Sequence, residues 1–371
     1  GKEFSLYKEN KEGNDEGIGI SYPKLVTIFL NEKQKAIGRK ILLDDGKITL
    51  VVTEVTSTAI KCLVVKGGRL SNRKSINIPD YHISMPYVSA KDRSDIEFGC
   101  EQGFDFVAAS FVRTKEDVED IREILKSKNS QMKIIAKIES TQGIDNLEEI
   151  LETADGIMVA RGDMGVEVPF EDVPVVQKKM IKLAESKGKY VITATQMLDS
   201  MIHHPRPTRA EVTDVANAIY DGTTAIMLSG ETASGDYPVE AVKTMARIAE
   251  RTEADIDYVG RLRKRDYAPS DSTTAISHAT CNIAAEVNAD AILTVTMSGF
   301  TASMVSRYKP NCQIIACTIN PTVCRQANLM WGVAPLHIRQ EDTADELFKE
   351  AINAARNAGY LKAGEIGRAH V

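Results

Sequence analysis

Ile134-Ile135-Ala136-Lys137-Ile138-Glu139-Ser140 is an apolar run that ends in charge. Its aliphatic residues adjoin one another instead of alternating with polar ones, as in a strand covered on both faces. Lys137 and Glu139 stand two apart, so on a strand both side chains point to one face. A cation and a carboxylate are costly to bury inside a strand. Taken alone, the pair reads as a strand-end ion pair.

Working outward, the same kind of run recurs at Phe104 to Phe111, Gly156 to Val159, Tyr190 to Thr193 and Ala225 to Leu228. Amphipathic stretches separate these runs, for example Lys115 to Lys126, Val173 to Lys187 and Ala210 to Tyr220. A spacing of about 23 to 35 residues is that of successive βα units in a parallel sheet. Most runs end in polar residues: Lys137-Ile138-Glu139-Ser140, Ala160-Arg161-Gly162-Asp163, Ala194-Thr195-Gln196 and Ser229-Gly230-Glu231-Thr232. A (β/α)8 barrel places its active site at those strand ends. The pattern predicts part of such a barrel over 85–255, with a doubly wound open sheet as the alternative. Three further units are expected to precede residue 1, with 1–84 inserted between the third strand and its helix, Lys91 to Gln102.

Residues 1–84 read as all-β. Short runs at Leu25 to Leu30, Lys40 to Leu43, Ile48 to Val55 and Ala59 to Val65 are broken by Asp44-Asp45-Gly46 and Lys66-Gly67-Gly68. They predict a small barrel or sandwich. Residues 256–270 read as a linker. Residues 271–364 alternate again and predict a second α/β domain. Its helices are expected at Thr273 to Val287, Ala302 to Tyr308, Pro321 to Ala327 and Ala344 to Ala358, its strands at Ala291 to Thr296 and Gln313 to Thr318. Both ends of the chain look cut, and the C-terminal domain looks incomplete. Residues 365–371 resemble the reading frame of a sequencing adapter and fit neither an apolar strand nor an acidic helix. They are expected to be a non-native tail.

Composition restricts the function classes. The 371 residues suffice for two or three domains. Hydrophobic residues at 43% and charged residues at 26% match a soluble globular chain. A net charge of −6 supplies no basic excess for nucleic acid, while a small anionic substrate stays compatible through a locally positive pocket. The six cysteines lack C-x-x-C or zinc spacing and read as reduced thiols. No run reaches the ~18 apolar residues of a membrane span. No leader is visible, and a cytoplasmic protein is expected.

The chemistry gathers at the strand ends. Glu139 and Asp163, at the ends of adjacent strands, make a reasonable Mg²⁺ site with room for waters and substrate oxygens. Lys137 adds positive charge for a transferring phosphoryl group. Gly162-Asp163 is expected to end the strand, followed by a tight turn at Met164-Gly165; Arg161-Gly162-Asp163-Met164-Gly165 offers backbone N–H groups to a carboxylate or phosphate, the more so where a helix starts within the turn, and equally it is a plain βα turn. Thr195 ends the next strand and alone would count as a packing residue.

Several long blocks, in order and correctly spaced, resemble the pyruvate kinase family. They are 134–140, 155–167, 192–201, 205–211 and 227–233, and the resemblance extends over 1–364. It implies a (β/α)8 barrel, an inserted β lid (1–84) and a C-terminal α/β domain (271–364). It implies phosphoryl transfer between phosphoenolpyruvate and ADP to give pyruvate and ATP in glycolysis. Lys137 is then the transition-state cation. Glu139 and Asp163 hold Mg²⁺ or Mn²⁺. Lys137, Gly162, Asp163 and Thr195 bind substrate. Arg73-Lys74-Ser75-Ile76-Asn77 matches a nucleotide-contacting segment, which makes Lys74 the ATP/ADP contact, although Ser75 stands where the family usually has Gly. In the last domain Thr296, Ser298, Gly299 and Thr301 match an effector-phosphate loop, which also reads as an ordinary strand-to-helix turn. K⁺ is expected, with its ligands outside this chain, as is a homotetramer for the intact protein. The chain as it stands is expected to be inactive.

A metal-dependent aldolase or lyase could use a similar Glu/Asp pair, but it needs no nucleotide lid. A third reading is a fragment that keeps only binding or assembly surfaces.

Overall fold

A computed structural model describes residues 1–72, 74–79, 81, 85–264 and 271–362, and the backbone of 367–370. The chain forms two compact units: Gly1–Tyr87 with Glu139–Asp145 and Arg161–Val175, and Val88–Ile138 with Asn146–Ala160 and Val176–Val371.

The first unit is built on β1 (Glu3–Tyr7), β2 (Gly17–Gly19), α1 (Lys24–Asn31), α2 (Lys33–Ala36), β3 (Lys40–Leu43), β4 (Ile48–Val55), β5 (Ala59–Lys66) and β6 (Ile76–Asn77). Its sheet has the order β2-β1-β5-β4-β3-β6. Leu25 to Leu30 is not a strand, and the all-β reading is corrected there. It forms α1, which follows Pro23 and buries Leu25, Val26 and Phe29 on one face. Those positions obey the helical repeat, and Phe29 meets the Tyr81 ring edge-on at 5.0 Å. A short aliphatic run rich in β-branched residues does not by itself distinguish the two periods. The β3–β4 hairpin turns through Asp44, Asp45 and Gly46, with φ of 50°, 55° and 81°.

In chain order there follow α3 (Ala90–Glu101), β7 (Phe106–Ala109), α4 (Lys115–Ser127), β8 (Lys133–Ile138), α5 (Thr141–Asp145), α6 (Leu147–Thr153), β9 (Gly156–Ala160), α7 (Arg161–Glu167), α8 (Val173–Ser186), β10 (Tyr190–Ala194), α9 (Arg209–Asp221), β11 (Ala225–Ile226), α10 (Gly230–Ala233), α11 (Pro238–Glu253) and α12 (Tyr258–Arg263). Strands β7 to β11 form one all-parallel sheet in the order β11-β10-β9-β8-β7, the alternation of strand and helix that a partial (β/α)8 barrel requires. Strands β9 and β10 are buried along their whole length, which is why they read as unbroken apolar runs. Helices α3 and α9 start on capping boxes, Ser89 with Asp92 and Thr208 with Glu211. The expected linker at 256–270 contains helix α12, started by the Asp257 side chain accepting from the Gly260 N–H; residues 265–270 lie outside the described set.

The last sheet uses α13 (Ser272–Glu286), β12 (Ala291–Val295), α14 (Phe300–Ser306), β13 (Gln313–Thr318), α15 (Pro321–Gln326), β14 (Val333–His337), α16 (Ala344–Asn357) and β15 (Gly367–His370), in the order β14-β13-β12-β15. Residues 367–370 pair as a strand parallel to β12, although their sequence does not read as an apolar strand. The backbone groups along the edge of β12 accept an extended segment largely without regard to its side chains. This sheet is tied to the βα units within the second unit: Lys309 Nζ donates to the Gly222 carbonyl at 2.8 Å and pairs with Glu185 Oε1 at 2.5 Å. Among the described residues no helix is long and apolar enough to cross a membrane. All six cysteines are free thiols.

Candidate active site

The parallel register sets the carboxyl ends of β7 to β10 side by side: Ala109 pairs with Ala136, Ile138 with Val159, and Ala160 with Ala194. In the second unit, Lys137 on β8 reaches sideways. Its Nζ donates to Ser110 Oγ at 2.9 Å, and Ser110 directly follows β7. Beyond β10 the chain bends through two left-handed residues in succession, Thr195 at φ 70° and Gln196 at φ 53°. A β-branched residue resists that region, and such strain, about 1–3 kcal/mol per residue, persists only where surroundings enforce it. The Thr195 hydroxyl donates to the Ala194 carbonyl at 2.6 Å.

Two carboxylates enforce the bend. Glu231, only 2% exposed, accepts from the Leu198 N–H at 3.0 Å and the Ser229 N–H at 2.8 Å. Glu211 accepts from the Ser200 N–H and hydroxyl at 2.7 and 2.6 Å, and from the Thr208 N–H and hydroxyl at 2.7 and 2.9 Å. Burial pushes the Glu211 carboxyl up, but these donors outweigh it and hold it below its ordinary value. Ser110, Glu211 and Glu231 were not singled out from sequence. The available signal for Glu231 was a carboxylate two residues after Ser229 at the end of a barrel strand.

The two candidate metal ligands belong to the first unit. Glu139 directly follows β8 and is completely buried. Its neighbour Ser140 accepts the Gly143 N–H at 3.2 Å, which opens α5. Gly162 and Asp163 do not end the strand, which stops at Ala160, and Met164-Gly165 is not a tight turn. Gly162 and Asp163 occupy the first turn of α7, which Met164 anchors in the core. The glycines permit a turn, but Met164, Val166 and the Val168 N–H bonded back to the Met164 carbonyl continue the chain helically. A carboxylate there suits the positive end of the helix. Among the described residues no group of three or more metal-type side chains occurs. The Glu139 and Asp163 carboxylates are oxygen donors of the hard kind that a divalent cation such as Mg²⁺ takes.

Lys74 lies in the first unit, and Arg73 before it is outside the described residues. The Lys74 Nζ stands 2.9 Å from Asp44 Oδ1, and the Lys47 Nζ 3.2 Å from Asp44 Oδ2. Ser75 has a function that Gly lacks: its hydroxyl donates to Asp45 Oδ1 at 2.7 Å.

The candidate effector loop ends β12. Its hydroxyls turn onto the loop's own amides: Thr296 Oγ1 accepts from the Gly299 N–H at 3.0 Å, and Ser298 Oγ from the Phe300 N–H at 3.4 Å. Gly299 takes φ 83° at the N-cap of α14, and Thr301 lies inside that helix. Met297 and Phe300 are exposed beside it.

The chain was also compared with known proteins. The family described as "Pyruvate kinase, barrel domain" matches residues 2–242, and "Pyruvate kinase, alpha/beta domain" matches 274–367. A pyruvate kinase of Geobacillus stearothermophilus is 48% identical over 358 residues, 95% of this chain and 60% of that protein. One of Sporosarcina psychrophila is 47% identical over 371 residues, 99% of this chain and 62% of that protein. One of Clostridium perfringens is 48% identical over 332 residues, 88% of this chain and 70% of that protein. The chain thus spans about three fifths of the length of the first two relatives. With two family descriptions in register and this identity over nearly its whole length, the chain belongs to the pyruvate kinase family.

Proposed function

We propose that the protein carrying this chain transfers the phosphoryl group of phosphoenolpyruvate to ADP, giving pyruvate and ATP in glycolysis. The observation that carries this reading is the order of groups along successive strands: Lys137 on β8, Glu139 after it, Gly162 and Asp163 after β9, and Thr195 after β10. In the transfer, the bond from phosphorus to the enol oxygen breaks and a bond to the terminal phosphate oxygen of ADP forms. The enolate left behind takes a proton on its methylene carbon. Positioning and charge neutralisation carry such a step.

Lys137 places positive charge beside the phosphoryl oxygens as they depart. The Gly162 and Asp163 backbone and the Thr195 hydroxyl hold the enolpyruvate end, and Thr195, or a water it positions, delivers the proton. Glu139 and Asp163 would hold Mg²⁺ or Mn²⁺, which supplies neutralising charge on phosphate when bound. Lys74 contacts the nucleotide phosphates, and residues 1–84 act as a lid that excludes water. Residues 85–255 form the barrel portion, 256–270 a linker and 271–364 the C-terminal domain, with 365–371 a foreign tail. The loop at Thr296, Ser298, Gly299 and Thr301 receives an effector phosphate. A K⁺ requirement, a homotetramer and a cytoplasmic location complete the proposal. A lactate-dehydrogenase-coupled assay of the full-length protein with phosphoenolpyruvate, ADP and Mg²⁺ tests it. ADP-dependent pyruvate formation is expected, and pyruvate release that ignores ADP would favour a lyase.

A further inference from the structure

The turn at Asp44-Asp45-Gly46 and the segment Lys74-Ser75 form a closed polar network within the first unit. Asp44 is 6% exposed, and its main chain is fixed in the left-handed region at φ 50°. One carboxylate oxygen pairs with Lys74 and the other with Lys47. The segment bearing Lys74 is docked onto the same turn three times. The Asp44 N–H donates to the Ser75 carbonyl at 3.2 Å, the Asp45 N–H to Ser75 Oγ at 3.3 Å, and Ser75 Oγ to Asp45 Oδ1 at 2.7 Å.

We infer that Asp44 is a positioning residue for the nucleotide, holding the Lys74 ammonium at a fixed point where it meets a nucleotide phosphate. The inference rests on the nucleotide reading of Lys74 proposed above and adds to it the group that acts through Lys74.

Three physical points support it. A lysine head on a flexible four-carbon stem loses much rotamer freedom when a phosphate fixes it, and a partner that fixes it beforehand removes that cost from binding. An ammonium has three N–H donors, so pairing with one carboxylate oxygen leaves donors for phosphate; the Lys74 side chain is 37% exposed and can present them. Lys47 takes the second oxygen of Asp44, so the carboxylate does not neutralise Lys74 alone. The Lys74 contact in turn holds the Asp44 carboxyl below its ordinary value, and Asp44 holds the Lys74 ammonium above its own. The Ser75 hydroxyl adds the two side-chain bonds to Asp45, which a glycine there would lack.

Asp44 could instead serve the turn alone, and the test separates the two roles. Asparagine tolerates the left-handed region, so Asp44→Asn keeps the turn while removing the charge. Asp44→Gly, which meets no steric cost there, is the second variant should the first fail to fold. In the full-length protein, KM for ADP is measured at saturating phosphoenolpyruvate, and the reverse, for Asp44→Asn, Lys74→Gln and the double variant. Asp44→Asn is expected to raise KM for ADP about three- to tenfold, with kcat and KM for phosphoenolpyruvate within about twofold. The double variant is expected to match Lys74→Gln, since Asp44 acts only through Lys74. An unchanged KM for ADP in Asp44→Asn and Asp44→Gly, or additive losses in the double variant, would overturn the positioning role. A Lys74→Gln protein with normal KM for ADP would overturn the nucleotide reading itself, and the inference with it.

Discussion

The buried carboxylate of Glu231 accepts the backbone N–H of Leu198 at 3.0 Å and so pins the chain three residues beyond Thr195. The same carboxylate takes the Ser229 N–H, which ties the end of β11 to the end of β10. One buried anion thereby supports a backbone bend that a threonine does not adopt willingly.

Truncating Glu231 orphans two N–H donors, that of Leu198 buried and that of Ser229 half-buried. Glu231→Ala should cost roughly 2–4 kcal/mol of unfolding free energy, with Glu231→Gln losing less because it retains one acceptor. Denaturant unfolding of the full-length protein checks this. Equal midpoints for wild type and Glu231→Ala would show that the bend is held by something else.

Acid sensitivity should trace in part to Asp155. Burial pushes its carboxyl up, but Lys133, the Ile134 N–H and Arg122 push it further down, to below its ordinary value of 3.8. A carboxyl depressed in the folded state lends stability that is complete above its unfolded value, near pH 4, and is lost as pH falls through the lower folded value. Asp155→Asn should therefore be less stable than wild type at pH 7, and the gap should close below about pH 4. Unfolding midpoints from pH 7 to pH 3 report it; a gap that widens on acidification would contradict the assignment.

Glu139→Gln and Asp163→Asn should each weaken Mn²⁺ binding about tenfold or more, because each removes one anionic oxygen donor from a small set. Calorimetric titration of the full-length protein with Mn²⁺ alone, without substrate, measures this independently of turnover. Wild-type affinity in both variants would remove the pair from the metal site.

The sequence made some of this legible and hid the rest for identifiable reasons. Strands β9 and β10 are readable because burial along their whole length leaves apolar runs that end in polar or charged residues, and β8 because its apolar run ends at Lys137 and Glu139. Helix α1 was not, since Leu25-Val26-Thr27-Ile28-Phe29-Leu30 carries β-branched residues and is too short for periodicity to decide. Gly165 after Met164 suits a tight turn as well as a helix, and only Met164 entering the core decides for α7. Lys137, Glu139 and Asp163 stood out as charges at strand ends. The roles of Glu231, Glu211 and Asp44 did not, because each acts by accepting backbone, hydroxyl or lysine donors brought together only on folding.

The central claim is that Lys137 carries positive charge to a phosphoryl group in transit, and the most direct measurement is kcat for ATP formation from phosphoenolpyruvate by the Lys137→Met full-length protein. A role confined to the transition state predicts kcat lower by about a hundredfold or more, with KM for phosphoenolpyruvate much less affected. Proton exchange at the methyl group of pyruvate should persist in the same protein, since Thr195 and the loop behind it are untouched. A kcat equal to that of wild type would contradict the account.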